Sequence, residues 1–450
     1  MTRTASRLLT AGAVVALAVA GTLVIGISGG PRTSTPAVGT TVSGLATATD
    51  PLPATVGAAT GLPAKIQALQ DHLRIMSTDA NAWATLGLDY VEQARATVDS
   101  AYYPKAEAVL KTSLDLQPTD NFVACAGQAA LASARHDFAA ALSWAKRGVA
   151  INPYSAALFG TLGDAQTQLG LYEEAAQSIQ KMIDLRPGTP SFARGSYIQE
   201  LRGDVAGATS AMQAALDAAP NASDKAFANY YLGELSVNAG KAAKALTYFE
   251  AGIAADPSYA ALYEGKARAE AALGMSGDAV KDFADAVGRV PQPTFVLEYA
   301  DYLTSLGRTG EAARQYKVFL AENALFESNG VQLDTDATLY YADHGDAAKA
   351  LRIGGAGIKS RPFLEMQDAY GWALHAAGRD AEAVQWVAKA IKPGMRNALF
   401  HFHLGMIEKA LGHPAKARTE LALALQINPY FNPLQAPIAR AALAQVGGTA

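Results

Sequence analysis

Residues 156–187 read AALFGTLGDAQTQLGLYEEAAQSIQKMIDLRP, and the spacing inside this stretch decides the fold. Gly163 is followed by Gly170 seven positions on, by Ala175 five further and by Ile179 four beyond that. Apolar residues on each side of Gly170 recur at three- and four-residue intervals, the pattern of two amphipathic helices joined by a short turn. Gly170 falls where the first helix must end in a left-handed residue, which glycine adopts without strain. Gly163 and Ala175 are small where the two helices must approach, and Pro187 cannot continue the second helix.

Outward from this stretch, the same phase returns about every 34 residues. It reads Ser196/Gly203/Ala208/Met212, Gly233/Gly240/Ala245/Phe249, Ala267/Gly274/Ala279/Phe283 and Ala300/Gly307/Ala312/Tyr316. It continues as Thr338/Gly345/Ala350/Gly354, Gly371/Gly378/Ala383/Val387 and Gly405/Gly412/Ala417/Leu421, with closing prolines such as Pro220, Pro257, Pro291 and Pro429. Any one of these residues is ordinary; the shared register is the signal. A single helical hairpin cannot cover its own apolar side, so stacked copies must share one continuous core.

This register resembles the tetratricopeptide repeat, a 34-residue helical pair. Leu162-Gly163, Gly170, Tyr172, Ala175 and Pro187 carry nearly the whole of that pattern, and the copy ending ALALQINP at Pro429 is close to it. The resemblance covers roughly residues 64–446 and implies an all-α, right-handed solenoid of about ten helix pairs over 64–432. Residues 433–446 (PLQAPIARAALAQV) read as an amphipathic capping helix. The layout is also similar to that of bacterial exported repeat proteins, a likeness that implies no activity.

Some copies depart from the pattern. The first opens well with Trp83, Leu86-Gly87 and Tyr90, but Ala106 arrives about seven residues late, so its turn or its helix ends must be longer. The second has His136 where glycine is usual. Residues 319–334 replace an ordinary junction with a longer one containing Asn329-Gly330. The next copy carries Gly354, Gly355 and Gly357 inside its second helix, each disfavoured by about 1 kcal/mol relative to alanine, which predicts the softest joint of the array.

At the N-terminus, Arg3 and Arg7 precede an uncharged stretch, LLTAGAVVALAVAGTLVIGISGG, from Leu8 to Gly30. It is long enough to span a bilayer, which takes about 20 apolar residues. Two readings compete: a retained signal-anchor over residues 1–30, or a signal peptide cleaved after Ala18-Val19-Ala20. The apolar run beyond Ala20 favours the anchor, with the basic N-terminus cytoplasmic and the solenoid extracytoplasmic at the cell membrane. Cleavage would give a secreted protein. Residues 31–63 are Thr, Ala, Gly, Pro and Ser almost without charge, a flexible tether.

Composition narrows the function. Of 450 residues half are hydrophobic and 17% charged, with a net charge of −4 and no basic stripe, which argues against nucleic-acid binding. Cys125, the one cysteine, reads as a buried thiol and leaves no internal disulfide. No phosphate loop, nucleophile elbow, dinucleotide fingerprint or HExxH zinc motif occurs, so neither an enzyme nor a cofactor is expected. His401 and His403 are two apart, which points them to different faces of a helix and disfavours a shared metal. Asp164, Glu234 and Asp301 fall in separate copies, too far apart for paired acid–base chemistry.

The resemblance instead implies a concave groove lined by the first helix of each pair. Six positions before each turn glycine stand Asp164, Tyr197, Glu234, Arg268, Asp301, Leu339, Trp372 and Met406; ten before stand Tyr230, Glu264, Asp368 and Phe402. The middle of this set is acidic with tyrosines. Its C-terminal end, with Trp372, His375, Phe402 and Met406, reads as an exposed aromatic cluster suited to anchoring a peptide or protein partner. The lysine and asparagine clamp that some family members use on free C-termini is absent. The expected function is an extracytoplasmic protein–protein interaction scaffold; the alternative is a small-ligand or metal-binding envelope protein built on His375, His401 and His403.

Overall fold

The computed structural model describes residues 61–97, 99–328, 330–331 and 335–447. The expected anchor (1–30) and nearly all of the expected linker (31–63) lie outside these residues. Among the described residues no helix is long and apolar enough to cross a membrane.

The described residues form 22 helices and no strand. One helix, α1 (Leu62–Ile75), stands before the first pair. Five pairs follow: α2–α3 (Ala80–Thr97, Tyr102–Leu116), α4–α5 (Phe122–Ala134, Phe138–Ile151), α6–α7 (Ala156–Gln168, Tyr172–Leu185), α8–α9 (Thr189–Leu201, Val205–Asp217) and α10–α11 (Ala222–Asn238, Ala242–Ala255). Five more are α12–α13 (Ala260–Ala272, Ser276–Arg289), α14–α15 (Pro293–Ser305, Thr309–Ser328), α16–α17 (Thr335–Asp343, Ala347–Ser360), α18–α19 (Leu364–Ala376, Asp380–Ile391) and α20–α21 (Ala398–Ala410, Pro414–Ile427). A last helix, α22 (Gln435–Gln445), packs on α21.

The turn glycines act as their spacing requires. Gly170 has φ 73°, Leu171 N–H donates to Gln166 O at 2.8 Å and Gly170 N–H to Thr167 O at 3.0 Å, which together close the end of α6. At the second turn His136 takes the same left-handed conformation, φ 60°, uncommon for a residue with a Cβ. Asp137 and Asp204 follow their turn residues directly and cap the next helix, accepting from Ala140 N at 3.0 Å and Gly207 N at 2.8 Å. Such caps contribute about 1 kcal/mol each. Gly163 is small because the Ile179 side chain occupies the space a Cβ would need.

The irregular copies resolve simply. The insertion in the first copy lengthens α2 to 18 residues, and the long junction is largely taken up by α15, 20 residues, and shortens α16 to nine. In α17 a Cβ at Gly354 would lie 3.0 Å from Thr338 Cγ2, and one at Gly357 would overlap Met366 Sδ, so both glycines serve close packing.

The array coils back on itself, so that turns within pairs meet junctions between later pairs. Val290 joins the cluster around Ala94 and Tyr103 beside the first turn. His136 Nδ1 lies 3.0 Å from Arg361 Nη1. At Gly170 the Pro362 carbonyl oxygen comes within 3.1 Å of where a Cβ would stand; at Gly203 the Gly394 carbonyl closes in more tightly still. At Gly240 the Ile427 carbonyl approaches to 3.1 Å, and Asn428 Nδ2 donates to Val237 O at 2.8 Å. The first five turns are thus seated on the later junctions, forming a seam between two coils. The last five, at Gly274, Gly307, Gly345, Gly378 and Gly412, are exposed and have nothing near a Cβ position.

Candidate functional site on the concave face

First helices of successive pairs do line the inside, but they meet one another there more closely than separate copies suggest. Arg268 on α12 pairs with Glu234 on α10, with Glu264 one turn earlier on α12 at 2.5 Å, and with Glu298 on α14 at 3.5 Å. Three carboxylates from three copies therefore surround one guanidinium; Asp164 and Asp301 are not among them and pair instead with Arg194 and Tyr316. A 34-residue period places equivalent positions side by side on neighbouring first helices.

The charges do not balance, and the acids carry the difference. Burial raises the Glu264 carboxyl well above the usual range; Arg268 opposes this, while Glu298 and Glu234 add to it. Glu234 is raised by burial in the same way, again opposed by Arg268. Burial disfavours the charge on Arg268, but Glu234, Glu264 and Glu298 outweigh it and keep the guanidinium protonated. Asp301, on the next helix pair, is pushed to about 7 by burial against a hydrogen bond from Tyr316 Oη at 2.8 Å.

This cluster faces a cavity of about 510 Å³. Arg268, Glu298 and Asp301 form one wall; Arg396, Asn397, Asn428 and Arg440, from the second coil, stand on the other. The concave face is therefore not an open trough here: residues 395–440 roof it. Glu298 was missed in the sequence because it stands nine residues before Gly307, one position off the frame that selects groove residues.

The other expected groove residues serve packing or pair internally. Asp164 receives two hydrogen bonds from Arg194, at 2.9 and 2.8 Å. Tyr197 is buried, its hydroxyl 3.3 Å from Glu365 Oε1 of the second coil. Tyr230 is buried among Tyr231, Phe249 and Tyr259. Asp368 is buried and bonds His403 Nδ1 at 2.8 Å.

The expected exposed aromatic cluster at the C-terminal end is instead core. Phe402 is 1% exposed and Trp372 8%. Trp372 donates from Nε1 to Asp343 Oδ1 at 2.7 Å, and its ring lies between His403 at 4.2 Å and His375 at 4.7 Å. Phe402 packs on Phe431, and half-buried Met406 joins the same cluster under Ala439 and Leu443 of α22. The last helix covers what the pattern left open. The histidines also separate: His375 pairs with Asp380 at 2.5 Å and His401 with Glu420 at 2.6 Å. Among the described residues no three His, Cys, Asp or Glu side chains gather as a metal site.

Residues 156–189 and 230–292 match the tetratricopeptide repeat, and the second match contains Glu234, Glu264 and Arg268. No curated protein matches the sequence. Among solved structures, the MamA protein is 21% identical, with 38% of this chain and 92% of that chain covered and a TM-score of 0.30. YrrB, described as a TPR protein with an unusual peptide-binding site, is 17% identical, covering 40% of this chain and 92% of its own at a TM-score of 0.29. A tetratricopeptide repeat protein from Parabacteroides merdae is 16% identical, covering 58% of this chain and 99% of its own at a TM-score of 0.34.

Proposed function

We propose that the chain, which matches the tetratricopeptide repeat over residues 156–189 and 230–292, is a protein–protein interaction scaffold that takes an extended segment of its partner in the cavity beside Arg268. The observation that carries the reading is the cavity itself, about 510 Å³ between the two coils, with Glu298 and Asp301 on one wall and Asn397 and Asn428 on the other. Amide side chains can pair with a peptide backbone in both directions, and the carboxylates select a partner side chain that donates or carries positive charge. The anchoring point thus moves from the buried Trp372 and Phe402 to the acidic middle of the array. The metal-binding alternative has no support in the geometry, because each C-terminal histidine already has its own carboxylate.

The proposal includes location: residues 1–30 hold the protein at the cell membrane and residues 31–63 carry the solenoid on the extracytoplasmic side. This rests on Arg3 and Arg7 ahead of a 23-residue uncharged run. Fractionation into membrane and culture medium decides between anchor and secretion.

A photo-crosslinking residue at Glu298 tests the site. A partner adduct is expected from Glu298 and not from exposed Lys281 on the outer helix α13. Equal adducts from both positions, or none from Glu298, would reject the cavity as the binding site.

A further inference from the structure

The two walls of the cavity carry opposite charge, and among the described residues no ion pair joins them. On the floor, the Arg268 guanidinium is already shared among Glu234, Glu264 and Glu298. Asp301 accepts a hydrogen bond from Tyr316 Oη at 2.8 Å and has no cation paired to it among the described residues. Burial pushes its carboxyl to about 7, where an ammonium or guanidinium seated beside it would pull it back down. The floor therefore holds more carboxylates than cations.

The roof is the reverse. Arg396 and Arg440 line the cavity and are exposed, and neither forms an ion pair among the described residues; Arg440 donates to the Pro429 carbonyl at 2.9 Å. Asn397 accepts from Leu399 N–H at 2.9 Å through Oδ1, and Asn432 accepts from Leu434 and Gln435 N–H at 2.8 and 2.9 Å. Their Nδ2 groups donate to no described residue. The backbone contacts of Gly203 with Gly394 and of Gly240 with Ile427 hold the walls at this spacing.

An extended chain suits the arrangement, because successive side chains point to opposite faces of a strand. A residue facing the floor has neighbours facing the roof, so charges meant for the two walls must stand an odd number of positions apart. Tyr430, 55% exposed, and Leu306, 38% exposed, line the same cavity and offer apolar surface to the flanking residues.

We infer that the partner segment is a strand of mixed charge, in which a basic side chain reaches Glu298 and Asp301 while an acidic side chain an odd number of positions away reaches Arg396 and Arg440. This rests on the cavity being the partner's site and adds the sequence rule that the segment must satisfy. On the roof, a guanidinium can hold the acidic side chain by two parallel hydrogen bonds. A purely basic segment would satisfy the floor but set like charges against the roof, and a purely acidic one would do the opposite.

Fluorescence anisotropy tests the rule, with the full chain and labelled ten-residue peptides built on serine and threonine. One peptide carries Lys and Glu at adjacent positions and a second carries them two apart; two others carry adjacent Lys residues or adjacent Glu residues. The adjacent Lys–Glu peptide is expected to bind at least tenfold more tightly than each of the other three. In the double variant Arg396→Glu/Arg440→Glu, both positions being exposed, the preference is expected to pass to the two-lysine peptide. Equal binding of the adjacent and two-apart peptides, no binding of any of the four, or a preference left unchanged in the double variant overturns the inference. The photo-crosslink at Glu298 separates the two levels. A partner adduct there beside a failed peptide series keeps the cavity as the site and removes the charge rule, whereas absence of the adduct removes both.

Discussion

The turns at Gly170 and Gly274 are local twins. Each places glycine in the left-handed region, at φ 73° and 77°, and each closes its helix with the same pair of backbone hydrogen bonds. Their surroundings differ completely: one lies against the Pro362 carbonyl, the other against nothing. The repeat unit therefore specifies the hairpin, while the pitch of the whole coil specifies which hairpins have neighbours. Stability in this molecule should be distributed by position along the seam rather than by quality of match to the repeat.

Removing the Arg361 side chain should break this comparison most forcefully. It is 1% exposed, stacked over Phe363 at 4.5 Å and near Phe138 at 5.2 Å, and it meets His136 across the coils. Arg361→Ala should lower unfolding free energy by about 3 kcal/mol in urea titration, from lost cation–π and hydrogen-bonding partners. Arg379→Ala, at an open turn, should leave the titration unchanged.

Alanine at the two kinds of turn gives a sharper contrast. Gly274→Ala carries only the left-handed backbone penalty, about 1–2 kcal/mol. Gly203→Ala has a similar φ, 76°, but its Cβ would overlap the Gly394 carbonyl oxygen. A further 1–3 kcal/mol is expected from that crowding. Equal losses for the two variants would mean that the coils do not touch in solution. Asn428→Ala should have a smaller effect, about 1 kcal/mol, from loss of the hydrogen bond to Val237 O.

A pH dependence is expected at the seam as well. Burial pushes Glu365 to about 7 despite the hydrogen bond from Tyr197. Between about 4.5 and 7 the folded chain holds this proton while the unfolded chain has released it. The contribution of Glu365 to stability therefore falls as pH rises through that window and levels off above it. Glu365→Gln should flatten the dependence of the urea midpoint between pH 4.5 and 7; an unchanged slope would place the titration elsewhere.

The period, the turn glycines and the small residues at helix contacts were all legible in the sequence, because each is a local requirement repeated many times. The pairing of Glu234 with Arg268 was implicit in the same period. What escaped were features set by neighbours outside the repeat. Trp372 and Phe402 read as exposed because nothing in their own copies covers them; α22 does. His136 departs from glycine at a turn that the second coil buries, and its strain is visible only once Arg361 is known to lie beside it. The seam has no sequence motif at all, since it depends on a rotation accumulated over several copies.

The contact between Asn428 and Val237 spans 191 positions, and that between Arg361 and His136 spans 225, in a chain where most packing is between helices close in sequence. Neighbour contacts form quickly because little chain must be closed to make them, whereas contacts this remote in sequence wait for the intervening pairs to be in place. Refolding should accordingly show two stages, a fast rise of helix signal followed by a slower zippering of coil onto coil. The interval between them is when the chain exposes its seam, and when a second chain could take the place of its own later half.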